Sequence, residues 1–144
     1  MPFSDSTSTD RARPDLGRGV LIVTCAISAG IHGALIPEHL EEGAGAVGGF
    51  IAATILLMGL AVALSRGAGE TVVLASAIGL VGLIVAYGFA VATGVPFLHA
   101  DVEPINGLAV FTKVVESVGL AAALVLLGTS VHELHLHPHE RRAE

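Results

Sequence analysis

The sequence predicts an all-α protein: a four-helix transmembrane bundle running up-down-up-down, with a short outer interfacial helix after the first span. The first observation is composition, since 53% of the 144 residues are hydrophobic and only 14% are charged, against about 25% charged residues in an average soluble domain. The second is placement, because nearly all charges lie at the two ends or between four long apolar runs. A charge at mid-membrane costs about 2.5 kcal/mol or more, so a spanning chain keeps its charges near the surface.

The first two spans follow a polar leader. Residues 1–18 are rich in Ser, Thr, Asp and Arg and have no apolar period, which predicts a disordered tail. The first span covers about 19–36, with His32 inside it, and the second covers about 43–65; a crossing takes about 20 residues of helix. The alternatives for the first run are a cleaved signal peptide and a lipoprotein box at Cys25. The long polar leader and the threonine before the cysteine argue against both.

The third and fourth spans complete one transmembrane domain over residues 19–128. The third covers about 71–94, and the uncharged run continues beyond it as far as His99. The fourth covers about 105–128 and contains Lys113 and Glu116. Residues 129–144 form a histidine-rich tail, and the chain is too short for a second domain.

The arginines predict the orientation. They fall only in the amino-terminal tail, the connection between the second and third spans, and the carboxy-terminal tail. The other two connections contain no Lys or Arg and are acidic. By the positive-inside rule the arginine side is cytoplasmic. The prediction is therefore a multi-pass protein of a bacterial inner (plasma) membrane, with both termini in the cytoplasm.

Composition also limits the class of function. The net charge of −6 gives no electrostatic support to a nucleic-acid partner, and a single cysteine allows no intrachain disulfide. We find no nucleophile–base pair, phosphate loop or cofactor fingerprint, so the sequence does not predict an enzyme. The expected partners are the lipid bilayer and either other membrane subunits or a second copy of the chain. Small residues at a spacing of four, such as Ala26, Gly30 and Ala34, favour close helix packing, first of all within the chain.

Histidines and carboxylates are expected to gather at the outer face. Imidazole and carboxylate groups suit Zn(II) or Cu(II), whereas Cu(I) prefers the Cys and Met residues that are scarce here. The alternative is a set of interfacial side chains satisfied by water and backbone, and no tight ligand spacing is present. Haem ligation by two of the histidines is disfavoured, because paired haem ligands usually lie within the spans. The hypothetical Zn or Cu ligands are His32, Glu38, His39, His99, Asp101 and Glu103.

A charged pair is predicted inside the membrane. Lys113 and Glu116 share a helix face and lie about 13 and 18 Å below the outer surface, at 1.5 Å per residue. The same count places Tyr87 near the depth of Lys113, and Thr54 and Cys25 near that of Glu116. One interpretation is a proton or ion relay with Glu116 as the titrating group. The favoured one is a neutralised pair that fixes the register of the fourth helix.

The histidine-rich tail is a separate feature on the cytoplasmic side. Such a tract binds Zn, Ni or Cu weakly whatever its purpose, and its location prevents it from completing the outer site. A solvated, pH-responsive cap is favoured over a metal sensor. The histidines concerned are His132, His135, His137 and His139.

Three short motifs carry a resemblance to a known family: His32-x4-Pro37-Glu38-His39-x-x-Glu42, Gly94-Val95-Pro96, and Glu103-Pro104-x11-Glu116. With these motifs, residues 19–128 resemble a family of small, uncharacterised bacterial four-span membrane proteins. The resemblance implies the four-span topology and a role for Glu116. Members often carry an aspartate six residues after the Glu-Pro glutamate, where this chain has Ala109.

Three functions remain open from the sequence. The first is an accessory or structural subunit of a membrane complex. The second is a metal-binding membrane protein that uses the outer histidines and carboxylates. The third is a proton-coupled small transporter that uses Glu116 and works as an oligomer, because four short helices leave little room for a pathway in one copy.

Overall fold

A computed structural model describes the backbone of residues 7–41, 43–67, 69–93 and 105–136, and the side chains of those that lie within 15–129. These residues form four helices and no strand. All four are long and apolar enough to cross a membrane, with mean hydropathy between 1.5 and 2.4 over the candidate spans. The predicted all-α fold with four membrane-spanning helices is confirmed. The helices are α1 (Thr7–Leu35), α2 (Ala44–Ser65), α3 (Glu70–Thr93) and α4 (Gly107–Leu136).

Two helices extend beyond the predicted spans. Helix α1 begins at Thr7, inside the leader that the sequence predicts to be disordered, and α4 continues to Leu136, inside the predicted histidine-rich tail. Starting a helix is the unfavourable step, whereas each further residue adds a hydrogen bond. A span that is already helical therefore extends readily into a polar segment. Helix α4 ends shortly before Pro138, a residue that disfavours helical backbone just ahead of it.

The connection after α1 is a turn and not the short interfacial helix predicted from the sequence. Residues 36–41 are held by backbone bonds of 3.3–3.4 Å that each span three residues. Gly43 has a φ of +113°, a conformation that glycine adopts without strain, and α2 begins directly after it. Too few residues separate α1 from α2 for a helix to recover its nucleation cost. We call the end of the bundle that holds residues 36–41 the turn end.

The helix contacts define a ring of neighbours. Helix α1 packs against α2 and α4, and α3 packs against α4 and, less extensively, against α2. In the described residues, no Cα atom of α1 lies within 8 Å of one in α3, and the same holds for α2 and α4. Side-chain hydrogen bonds join Arg18 to Leu64, Ser28 to Glu116, and Lys113 to Leu83 across the bundle.

Arg18 fastens the start of the first span to the end of α2. Its guanidinium donates from Nε and Nη2 to the carbonyl oxygen of Leu64, at 2.8 and 2.5 Å. The last carbonyls of a helix lack helical partners and carry partial negative charge, so a cation is favourable there. Gly67, with a φ of +88°, then turns the chain out of α2. At the turn end, Asn106 caps α4 by accepting a 2.8 Å hydrogen bond from the amide of Ala109.

The apolar core fills the half of the bundle away from the turn end, and large apolar side chains also point outward. Ile55, Ile78 and Val125 are each about two-thirds exposed, as expected for helices whose outer faces meet lipid tails. The small residues Ala26, Gly30 and Ala34 are exposed, so they lie outside the buried core of the bundle. The core consists of Leu21, Cys25, Ala29, Leu57, Ala61, Leu64, Ala77, Leu80 and Ala123.

Candidate functional site

Glu116 is the centre of a buried polar cluster. Its side chain is fully buried in α4, and it has partners on both carboxylate oxygens. Lys113 Nζ donates to Oε2 at 2.5 Å, and Ser28 Oγ of α1 donates to Oε1 at 2.9 Å. A buried carboxylate is tolerated only when a counter-charge and hydrogen bonds replace its lost hydration. The ion pair and the Ser28 hydroxyl meet both requirements.

His32 completes the cluster from the next turn of α1. Its Nδ1 lies 2.8 Å from the carbonyl oxygen of Ser28. A carbonyl oxygen only accepts, so this hydrogen-bond pattern assigns the ring hydrogen to Nδ1. The other nitrogen, Nε2, faces Glu116 Oε1 at 3.9 Å. In a neutral imidazole Nε2 is an acceptor, so two acceptors face each other across this gap. If either group bound one more proton, it could donate a hydrogen bond to the other, and the contact would become attractive.

Lys113 connects Glu116 to α3. Besides its bond to Glu116, its ammonium lies 3.4 Å from the carbonyl oxygen of Leu83 and 5.2 Å from the centroid of the Tyr87 ring. The second distance is that of a cation–π contact. The hydroxyl of Tyr87 is buried and has no hydrogen-bond partner among the described residues. Lys113 can neutralise Glu116, but it offers no acceptor to the Tyr87 hydroxyl.

A cavity of about 380 Å³ lies at the turn end, between all four helices. His32, Tyr87 and Lys113 line it, and Glu116 lies behind them, outside the lining. Phe50 of α2 forms part of the wall, with its ring centroid 5.8 Å from that of His32 and 4.1 Å from that of His39. The polar cluster therefore lies at the floor of an otherwise largely apolar cavity.

The structure brings some of the sequence-predicted residues together and separates others. His32, Tyr87, Lys113 and Glu116 meet in the cluster, while Glu38 and His39 line the cavity above it. Two predicted members of the polar column lie elsewhere. Thr54 donates to the carbonyl of Phe50, and Cys25 belongs to the apolar core.

The described part of the chain contains no metal site of the predicted kind. Within it, no group of three or more His, Cys, Asp or Glu residues is placed to hold a metal ion. His39 directs Nδ1 to the carbonyl of Leu35, at 2.8 Å. Apart from His32 and Glu38, the other candidate ligands lie outside the described residues or have side chains that do, so a site that includes them stays a prediction. They are His99, Asp101, Glu103, His132, His135, His137 and His139.

Sequence reasoning missed Ser28 and Phe50. Ser28 lies one helical turn before His32, and a hydroxyl at that spacing from a histidine inside a span is the signal that would have marked it. Phe50 carried no such signal, since one aromatic residue in an apolar run is ordinary. Its role follows from its ring contacts alone.

Comparisons with known proteins gave no match: the chain matches no protein-family model, no curated protein and no solved structure. The fold by itself defines the class of this chain, a small multi-pass integral membrane protein. A more particular assignment must come from the chemistry of its polar cluster.

Proposed function

We propose that this membrane protein binds a proton between His32 and Glu116 and works as a small proton-coupled transporter. The observation that supports the proposal is the 3.9 Å approach of His32 Nε2 to Glu116 Oε1, with the other imidazole nitrogen already bonded to a backbone carbonyl. Groups that face each other as acceptors are ready to share one proton. Ionisable side chains at membrane depth commonly mark such proton pathways.

Proton binding would change the net charge of the cluster. Lys113 and Glu116 cancel each other, so the cluster with neutral His32 carries no net charge. A proton that enters through the cavity and binds at Nε2 gives the cluster one positive charge, and its release restores neutrality. An extra charge at this depth is costly. Proton binding can therefore shift the balance between two arrangements of the helices, as coupled transport requires.

We further propose that the helices cross the inner membrane up-down-up-down, with the turn end outside and both termini in the cytoplasm. The contacts of Arg18 with Leu64 and of Ser28 with Glu116 support this topology, because each joins residues near matching heights on neighbouring helices. The arginine distribution supports the orientation. Four helices leave little space for a complete pathway, so we propose that the transporter is a homo-oligomer.

The orientation predicts which loops an impermeant reagent can reach. In a Cys25→Ser background, Leu40→Cys at the turn end should react with an impermeant maleimide in intact spheroplasts. Ser65→Cys at the opposite end should react only after the membrane is opened. Both native side chains are exposed, so access and not burial decides the result. Labelling of Ser65→Cys in intact spheroplasts would show the orientation to be inverted.

Proton flux tests the transport proposal. In liposomes with an imposed pH gradient, the wild type should move protons faster than empty liposomes, and Glu116→Gln should reduce the rate to the empty-liposome level. The amide keeps the shape of the side chain but does not exchange a proton in this way. Glu70→Gln is the matched control, because it removes an exposed carboxylate at the other end of the bundle. Equal flux through wild type and Glu116→Gln would eliminate the proposal.

A second candidate is an accessory or structural subunit, favoured by the way the cluster ties three helices together. Ser28 bonds α1 to Glu116, and Lys113 bonds α4 to the Leu83 carbonyl of α3. Such a network can serve packing alone. The candidate would be preferred if the wild type moved no protons and a second membrane protein co-purified in fixed proportion from native membranes.

A further inference from the structure

We propose that His39 is a proton relay between the surface of the turn end and the site that His32 forms with Glu116. This inference rests on the proposed proton-coupled function and names a further residue that carries the proton. It is supported by the way both histidines are held, by their common contact with Phe50, and by the order of the ionisable groups along the cavity.

His39 is held in the same way as His32. It directs Nδ1 to the carbonyl oxygen of Leu35, four residues earlier, at 2.8 Å. His32 makes the same contact with Ser28, over the same spacing and at the same distance. Because a carbonyl oxygen only accepts, each neutral ring carries its hydrogen on Nδ1 and has Nε2 as the nitrogen that can take a proton. Both side chains are more than nine-tenths buried, and both line the cavity.

Phe50 lies against both imidazoles. Its ring centroid is 4.1 Å from that of His39 and 5.8 Å from that of His32, so the two imidazole centroids are no further apart than these two distances laid end to end. A short chain of water molecules can bridge such a gap, at about 2.8 Å per hydrogen bond. A cation within about 6 Å of an aromatic centroid is attracted to the ring. Phe50 therefore attracts whichever of the two imidazoles carries the proton.

Ionisable side chains follow one another from the surface of the turn end to the floor of the cavity. Glu38 lines the cavity and is exposed, and the next residue, His39, is buried. His32 lies seven residues earlier, within α1, and Glu116 lies behind it. His39 thus stands between an exposed carboxylate and the buried proton site.

The other helices contribute no second candidate among the lining residues that the structure describes. Helix α2 contributes no ionisable side chain to the lining, α3 contributes Tyr87, and α4 contributes Lys113. The ammonium of Lys113 is already paired with Glu116. A phenol ordinarily titrates near pH 10, whereas imidazole is the side chain that ordinarily exchanges protons near neutral pH. The chemistry of the lining therefore assigns the relay to His39.

The relay needs no reactant other than water. A proton from water forms an N–H bond at Nε2 of His39, which then carries a hydrogen on each nitrogen and one positive charge. That bond breaks as the proton passes through water to Nε2 of His32, which Glu116 Oε1 faces at 3.9 Å. His39 is left neutral, with its hydrogen still on Nδ1, and can accept the next proton. The cavity volume of about 380 Å³ has room for the water that this transfer needs, at about 30 Å³ per molecule.

A matched pair of variants separates proton transfer from packing, because glutamine and glutamate have nearly the same shape but only glutamate carries a proton. Flux into proteoliposomes is driven by a potassium–valinomycin potential, with equal pH on both sides and EDTA in all solutions. At pH 7, His39→Gln should lower the flux at least about tenfold, since positioned proton-transfer groups in enzymes contribute about 10²-fold or more. Glu41→Gln is the control and should leave the flux unchanged, because it removes an exposed carboxylate of the turn end that does not line the cavity.

The dependence of the flux on pH is a readout that a change in packing would not move. His39→Glu should restore the flux at acidic pH and lose it as the pH rises, about two pH units below the decline of the wild type, because a carboxyl group ordinarily titrates near 4.3 and an imidazole near 6.5. Above the pKa of a relay group its protonated fraction falls about tenfold per pH unit. If His39→Gln does not fold, the comparison of wild type with His39→Glu still tests this shift.

Equal flux through wild type and His39→Gln would overturn the inference, as would one and the same pH profile for wild type and His39→Glu. Loss of wild-type flux on addition of EDTA would indicate a bound metal ion in place of the relay and would overturn it as well. If His39→Gln keeps its flux while Glu116→Gln loses it, the relay is wrong and the proton site stands. If the wild type itself moves no protons, both proposals are wrong.

Discussion

Replacing Lys113 with methionine should destabilise the protein more than replacing Lys113 and Glu116 together. The single change leaves the carboxylate of Glu116 fully buried without its counter-charge. Breaking a buried ion pair from one side costs about 3–5 kcal/mol, whereas replacing both partners by neutral groups of similar shape is often close to neutral. The double variant Lys113→Met/Glu116→Gln should therefore regain most of the stability lost in Lys113→Met.

Unfolding in mixed detergent micelles, followed by loss of helical circular dichroism, measures these differences. The four proteins of the cycle are wild type, the two single variants and the double variant, and their coupling energy isolates the pair. Glu70→Gln serves as a control for removal of a carboxylate in general; it is exposed and should change stability by no more than about 0.5 kcal/mol. A double variant as unstable as the sum of its parts would mean that Lys113 does not neutralise Glu116 in the folded protein.

The sequence was sufficient to predict the helices because a bilayer requires each span to be long and nearly uncharged. Long uncharged runs mark the spans, and these coincide closely with α2 and α3. The turn after α1 follows no such rule. Whether residues 36–41 form a turn or a helix depends on a few local bonds and on where Gly43 turns the chain.

The cluster was only partly predictable for a geometric reason. The spacing of Lys113 and Glu116 on one helix is a property of the sequence, and the structure joins them at 2.5 Å. Counting residues gives the depth of a side chain but not its direction around the helix axis. Cys25 was placed near Glu116 by depth, yet the rotation of α1 brings Ser28 to the carboxylate and leaves Cys25 in the core.

The rotation of α1 about its axis depends on close packing against α4. We therefore expect a substitution at Gly119 to have a large effect on stability. A Cβ atom added there would lie 2.5 Å from Thr24 Oγ1 and 3.1 Å from Leu80 Cδ1. Both neighbours are buried, and the Thr24 hydroxyl is bonded to the carbonyl of Leu21 at 3.0 Å. Overpacking of this kind costs about 1–3 kcal/mol. Gly119→Ala should lower stability even though alanine favours a helix by about 1 kcal/mol over glycine.

The same unfolding measurement on two further variants identifies the cause of the loss in Gly119→Ala. Gly59→Ala has the same gain in helix propensity and no atom within 4 Å of the added Cβ, so it should be at least as stable as wild type. Thr24→Ala combined with Gly119→Ala removes the hydroxyl that the new methyl meets and should recover part of the loss that Gly119→Ala causes alone. Equal stability of Gly119→Ala and Gly59→Ala would show that α1 and α4 are not in close contact here. Gly119 lies one turn from Glu116, and Thr24 lies one turn from Ser28. The close approach of α1 and α4 that only glycine permits at position 119 therefore also brings the Ser28 hydroxyl within hydrogen-bonding distance of the buried carboxylate.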